Sequence, residues 1–400
     1  MSEANKSNKE PRMPKVWESC ITLGALIAIL AIGIVAFKAS VHVPMFLGVC
    51  VAAMMALYLG HKWDSIEKMM MDGIYKALQS VCILIIVGIL VGVWINAGVV
   101  PTMIYYGLKI MHPAIFFIAC VLICSITSLA TGSSWGTMGT MGVALMGIGF
   151  GLGMNPGMTA GAILSGAYFG DKMSPLSDTT NLAPAMAGTD VIAHVKAMMI
   201  PTAITYAITL IAFGVLGAMQ YHGGSADMSR VTEFAAALNA AEGGVFNINP
   251  MLLLPPVIVI VAVALKMPAI PGITLGIFAG AILGLVFQSG ACDLGTLFNF
   301  GLEGYTFTDE MHVLLQSSLT EDTYNTMIEL LEKGGIMAMM NSVAMTIIAM
   351  MFGGIMESTH QLEVVVNKLK KLAKGPASLV TLTEITCVIS NMTMPEQYIS

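Results

Sequence analysis

Long apolar runs separated by short polar interruptions organise this chain. Cys20–Phe37, Val43–Leu59, Val81–Val100, Pro113–Ala130, Met198–Met219, Met251–Leu265 and Pro268–Phe287 reach or approach the ~18 apolar residues that a bilayer-crossing helix needs. The glycine-rich segments 137–153 and 157–170 and a further span at 336–356 complete the series. The pattern predicts an all-α fold, a polytopic membrane protein in which residues 17–400 form one integral domain behind an N-terminal tail, residues 1–16. The longest polar stretch, about Ser289–Lys333, is short and interrupted, so no soluble domain is expected. Composition agrees, with 56% apolar and 10% charged residues against about 25% charged in ordinary soluble domains.

Loop charge adds orientation. Lys6, Lys9, Arg12 and Lys15 precede the first apolar run like the n-region of a signal peptide. That run is too long for an h-region and no small-x-small cleavage site follows it, so it reads as an uncleaved first span. Lys and Arg collect at the N-terminus, at Lys62, Lys68 and Lys76, at Lys172 and Lys196, at Lys266, and at Lys368, Lys370, Lys371 and Lys374. The loops at about 221–249 and 289–335 hold only Arg230 and Lys333 among many acids. The positive-inside rule then puts the N-terminus in the cytoplasm and both acidic loops outside, with about eleven crossings by residue 400. The net charge of −6 comes largely from acidic loops and argues against nucleic-acid binding. Six of the seven cysteines, all but Cys292, lie in apolar segments, and there is no C-x-x-C pair to suggest zinc or a redox dithiol.

At an offset of about 262 residues the chain resembles itself: Gly92–Asn96 aligns with Gly354–Ser358, Pro113 falls within one residue of Pro376, and Ser128–Thr131 matches Ser390–Thr393. Each copy has a span, a loop, a second span and then a polar cluster. Loop charge makes the span at 81–100 run outward and that at 336–356 run inward. Opposite directions define an inverted-topology repeat, whose site lies at the repeat interface. The first repeat covers about 78–220 and the second starts near 336. The first continues well beyond Thr131 whereas the second stops at Ser400, which reads as truncation of a longer protein.

The polar clusters carry the candidate chemistry. Ser125–Thr137 supplies hydroxyls, Thr131, Ser133 and Ser134 among them, with Gly132 and Gly136 allowing the helix to unwind. Small hard cations need several oxygen ligands, and a broken helix offers them at membrane depth. The competing role for Gly132/Gly136, Gly147/Gly151 and Gly166/Gly170 is close helix packing, which is the expected role at Gly147–Gly153. Asp171 and Asp178 lie seven residues apart with Pro175 between them, so the helix is expected to break and the acids to face one cavity from different elements. Ionisable groups kept at membrane depth suggest an ion or proton pathway. Burial penalises an ionised carboxylate and a bound cation restores it, so Na+ and H+ can compete for it. The plainer alternative is an interfacial loop, with Asp171 and Lys172 solvated and Ser177 or Asp178 capping the next segment. Thr179, Thr180 and Asn181 extend this cluster, and Asn391, Thr393 and Glu396 form its counterpart in the second copy. Glu357 sits within one residue of the repeat-equivalent of Asn96, so both are read as lining the cavity, although an interhelical hydrogen bond is the commoner role of such an asparagine. Glu384 is a candidate interior acid, and His61, His194 and His360 stand alone at loop edges without a metal-ligand pair.

Thr131-Gly-Ser-Ser-Trp-Gly-Thr137, the long run Gly161–Pro184, and Thr393-Met-Pro-Glu-Gln-Tyr398 resemble the NhaC family of Na+/H+ antiporters. The resemblance spans about residues 15–400. It implies a secondary antiporter of a bacterial or archaeal inner (cytoplasmic) membrane that carries Na+ and H+ with no cofactor, and a missing C-terminal portion. Some similar proteins exchange organic acids, coupling malate uptake to lactate release, and the residues do not separate that subgroup from plain cation exchangers. The implied partners are therefore the lipid bilayer, Na+, H+ and, in that subgroup, a small organic anion; a homodimer is one assembly open to it. Two other classes compete. A channel would use Thr131–Gly136 as a filter, but filters are usually built from repeated subunits and need no intramembrane carboxylate. An enzyme would need a nucleophile–base pair or a metal cluster, and neither is legible.

Overall fold

The computed structural model describes residues 11–132, 134–174, 177, 180, 184, 189–220, 228–265, 267–370, 375, 378, 380–382 and 384. In chain order the helices are α1 (Val16–Ala31), α2 (His42–Tyr58), α3 (Trp63–Asn96), α4 (Val99–Ile110), α5 (Phe116–Thr131), α6 (Ser134–Thr137), α7 (Val143–Gly151), α8 (Pro156–Met173) and α9 (Val191–Gln220). Then follow α10 (Met228–Leu238), α11 (Leu254–Ala264), α12 (Ala269–Phe287), α13 (Leu294–Glu303), α14 (Asp309–Ser318), α15 (Glu321–Leu331), α16 (Gly335–Ser358) and α17 (Gln361–Lys370). Among the described residues the only β feature is an isolated bridge between Asn239 and Phe246. Six helices there are long and apolar enough to cross a membrane: α1 with its π-helical extension to Ala36, α3, α5, α9, α12 and α16. The protein is an all-α polytopic membrane protein. It divides into two compact units, residues 1–81 with 341–400 and residues 82–340.

In the first unit α1 and α2 pair through small residues, where a Cβ on Gly48 would stand 2.3 Å from Leu26 Cδ1. Thr22 Oγ1 on α1 donates to Gln361 Oε1 on α17 (2.7 Å), and Gln361 Nε2 donates to Thr359 Oγ1 (2.9 Å), so buried polar atoms satisfy one another. The span expected at Val81–Val100 begins much earlier, at Trp63. Ile66, Met69, Met70 and Ala77 bury one face at helical spacing while Asp64, Glu67, Lys68 and Asp72 occupy the exposed one, and an amphipathic turn does not register as an apolar run. A Cβ on Gly73 would lie 2.2 Å from the Met350 carbonyl oxygen, and one on Gly354 2.3 Å from that of Met69. Numbers rise on α3 as they fall on α16, so the two helices are antiparallel. His61 and His360, read from sequence as isolated, interact here: burial, and then the charge of His360, hold the His61 imidazole below its usual range. Glu384 is exposed, which corrects its reading as an interior acid.

In the second unit Trp94, Phe116, Phe117, Leu145 and Phe234 are fully buried. The antiparallel course of α3 and α16 recurs, with Gly88 against the Gly335 carbonyl and Gly92 against the Gly334 backbone. α3 ends at Asn96, short of Val100, because Gly98 turns left-handed at φ 76° before α4 starts. Asn96 Nδ2 donates to Thr296 Oγ1 on α13 at 3.3 Å, the interhelical bond foreseen for it. The stretch expected as a polar loop at 289–335 contains α13, α14 and α15, three short amphipathic helices. Tyr105 on α4 donates to Glu242 Oε1 (2.7 Å) while Lys109 donates to Tyr105. The bonds from Tyr105 and then Asn239 hold the Glu242 carboxyl below its usual range.

Candidate functional site

The site grows from the pairing of α5 with α8, which glycine makes possible. A Cβ on Gly166 would stand 2.3 Å from the Val121 carbonyl oxygen, and one on Gly170 2.5 Å from both the Ser125 carbonyl oxygen and the Leu129 nitrogen. The backbones therefore touch, as small-xxx-small packing requires. Residue numbers rise together along the contact, so α5 and α8 are parallel and end side by side. Ser128 Oγ donates to the Ala167 carbonyl (2.6 Å) and Ser174 Oγ to that of Leu129 (2.9 Å), pinning one end to the other.

Both helices stop for local reasons. Gly132 adopts φ 66° as the left-handed cap of α5. Ser174 is extended (φ −82°, ψ 125°) because it precedes Pro175, so the break foreseen at that proline occurs one residue before it. Thr180 then folds back, its Oγ1 donating to the carbonyls of Asp171 (3.0 Å) and Lys172 (2.9 Å).

Where the two ends meet, Asp171 and Ser134 come together. Asp171 is 5% exposed and Ser134 1%, and Ser134 Oγ donates to Asp171 Oδ2 at 2.9 Å. Two adjacent helix C-termini bring the negative ends of their dipoles near this place, and Ser134 brings the N-terminal, positive end of α6 to it. A buried carboxylate, a hydroxyl and carbonyl-rich helix ends form a hard-oxygen environment that favours a small cation.

Of the residues singled out from sequence, the structure unites Asp171, Ser134 and Thr180. Lys172 extends to the exposed side of α8, where it lines a groove against α9. Glu357, in the other compact unit, is exposed and accepts from Lys76 Nζ at 2.6 and 2.7 Å. Asp178, Thr179, Asn181, Ser133, Asn391, Thr393, Glu396 and the side chain of Thr131 lie outside the described residues. Sequence reading passed over Ser174; its place before a proline at a helix end was the available signal. Gly147 and Gly151 pack against Ile104 and Leu108, the structural role expected of them. No group of three metal-ligating side chains occurs among the described residues.

Comparison with known proteins gives a consistent picture. The profile of the Na+/H+ antiporter family matches residues 12–217 and 166–400. The chain is 37% identical to a malate-2H(+)/Na(+)-lactate antiporter of Bacillus subtilis, covering 98% of this chain and 80% of that protein. It is 33% identical to the Na(+)/H(+) antiporter NhaC of Alkalihalophilus pseudofirmus, with coverages of 95% and 78%. The arginine/ornithine antiporter ArcD of Halobacterium salinarum is 30% identical, with coverages of 97% and 77%. No solved structure matches the chain.

Proposed function

The chain belongs to the Na+/H+ antiporter family, and from that premise we propose that it exchanges Na+ for H+ across the cytoplasmic membrane, with Asp171 and Ser134 at the exchange site. The observation that carries this assignment is the buried hydrogen bond from Ser134, the first residue of α6, to Asp171 in the last turn of α8, beside the C-terminal end of α5. An ionised Asp171 attracts a cation, and a bound cation or proton offsets the desolvation of its charge. One carboxylate can therefore hold Na+ or H+ but not both at full strength, which is the condition for exchange. Ser134 and the carbonyls at the two helix ends supply neutral oxygens. Asp178, Thr131 and the second-copy residues Asn391, Thr393 and Glu396 are candidate further ligands on their sequence positions alone. The N-terminus is assigned to the cytoplasm from the distribution of lysine and arginine.

The test is Na+-driven H+ movement in proteoliposomes. Asp171→Asn is expected to abolish exchange while the protein inserts and purifies normally. Ser134→Ala removes one oxygen without changing charge, so the Na+ concentration for half-maximal exchange should rise by roughly five- to 150-fold, equivalent to about 1–3 kcal/mol. Wild-type exchange in Asp171→Asn would remove Asp171 from the site.

A further inference from the structure

We propose that the groove between α8 and α9 is a docking site for an anionic phospholipid of the cytoplasmic leaflet. The two helices run antiparallel, since a Cβ on Gly161 would lie 3.6 Å from the Phe213 ring while Phe169 stacks on Tyr206. The C-terminal end of α8 and the N-terminal end of α9 therefore lie together, and loop charge directs that end to the cytoplasm. Lys172, Tyr168 and Thr202 line the groove there, and Thr205 and Thr209 line it deeper along α9.

The two ends differ in chemistry, and the difference is that of an amphiphile. At the cytoplasmic end Lys172 is exposed, and Lys196 stands just beyond it on α9. A basic groove between spanning helices on this side of the membrane suits a lipid phosphate. Tyr168, 43% exposed at the rim, is the kind of residue that settles at headgroup level. At the deep end the hydroxyls are spent: Thr205 Oγ1 donates to the Pro201 carbonyl (3.0 Å) and Thr209 Oγ1 to that of Thr205 (2.9 Å). Such bonds turn a hydroxyl back onto its own helix, so these threonines offer the groove their methyl groups. Beside them Phe169 and Tyr206 stack with centroids 3.7 Å apart and planes 18° apart. Tyr206 is held there by donating to Ser125 Oγ at 2.8 Å. An acyl chain meets methyl groups and aromatic carbon along this stretch.

The groove also borders the face that a spanning helix turns to hydrocarbon. Ile200, Ile204, Ile208, Ile211 and Val215 follow one another along α9 at helical spacing and are all exposed. Thr205 and Thr209 stand next to Ile204 and Ile208 in the chain, at the edge of that stripe. A volume of about 340 Å³ takes in part of a lipid, its headgroup and the start of one chain, with the remainder lying on the isoleucines. The inference does not rest on the exchange reading.

The experiment is native mass spectrometry of the purified full chain, titrated with phosphatidylglycerol or with phosphatidylcholine of identical chains. The unmodified protein is expected to retain phosphatidylglycerol at roughly five- to tenfold lower concentration than phosphatidylcholine. Lys172→Gln should bring the two lipids to parity, and Lys172→Arg should keep the preference. Thr209→Trp, which fills the deep end, should weaken retention of both lipids, whereas Ile282→Trp on the exposed face of α12 should not. Equal retention of the two lipids by the unmodified protein overturns the proposal. So does a preference that survives Lys172→Gln, or equal effects of Thr209→Trp and Ile282→Trp. Displacement of phosphatidylglycerol by inorganic phosphate would make this a free-phosphate site and overturn it as well.

Discussion

Asp171 and Glu357 are both acids in apolar sequence, and their surroundings separate them. Asp171 is 5% exposed and receives a hydroxyl at 2.9 Å; Glu357 is 53% exposed and paired with a Lys76 that is itself 48% exposed. An exposed pair of this kind contributes roughly 0–1 kcal/mol, because its charges are screened and two long side chains must be held in one geometry. Glu357→Gln and Lys76→Gln are therefore expected to keep Na+/H+ exchange within about twofold of the unmodified protein, under the proteoliposome conditions in which Asp171→Asn is inactive. Exchange lost in Glu357→Gln but kept in Lys76→Gln would return Glu357 to the site. The apolar pattern around them did not distinguish the burial of the two acids, since exposure depends on which helix face packs inward.

At the scale of elements, the contact of α5 with α8 sets the site's geometry. Gly170, beside Asp171, is closed by two backbone atoms of α5 that cannot swing aside. Gly170→Ala is expected to push the helices apart, costing about 1–3 kcal/mol and displacing Asp171 from Ser134. Gly24, whose added Cβ would meet nothing within 4 Å, is the control, and alanine there should be neutral or slightly stabilising. Thermal unfolding in detergent reads both; equal midpoints would show that α5 and α8 can part without loss. Much of this element was legible: the glycine spacing, the hydroxyl cluster and the proline break all stand in the sequence. Their convergence was not, because the parallel course of α5 and α8 depends on α6 and α7 returning the chain between them. The start of α3 at Trp63 and the helices α13–α15 were also hidden, since half-polar amphipathic turns resemble loops to an eye tuned to apolar runs.

For the whole molecule, the distribution of lysines and the course of the helices bear on the same question. Loop charge directs the span within α3 outward and that within α16 inward, and in each compact unit taken by itself these helices run antiparallel. An inverted repeat needs this opposition. The prediction concerns sidedness. A reporter fused after Gly243, in the acidic segment that follows α10, should read as external, and one fused after Lys370, at the end of α17, as cytoplasmic. The contrast is informative because the segment at 221–249 has Arg230 as its single cation, whereas Lys368, Lys370, Lys371 and Lys374 cluster just after α16. Each such lysine is attracted to an anionic cytoplasmic leaflet by about 1 kcal/mol, so four together strongly favour that side. Replacing all four with glutamine should weaken the cytoplasmic reading at Lys370 and leave that at Gly243 unchanged. Two reporters on the same side of the membrane would break the charge-based orientation, and with it the placement of Asp171 relative to the two compartments between which Na+ and H+ exchange.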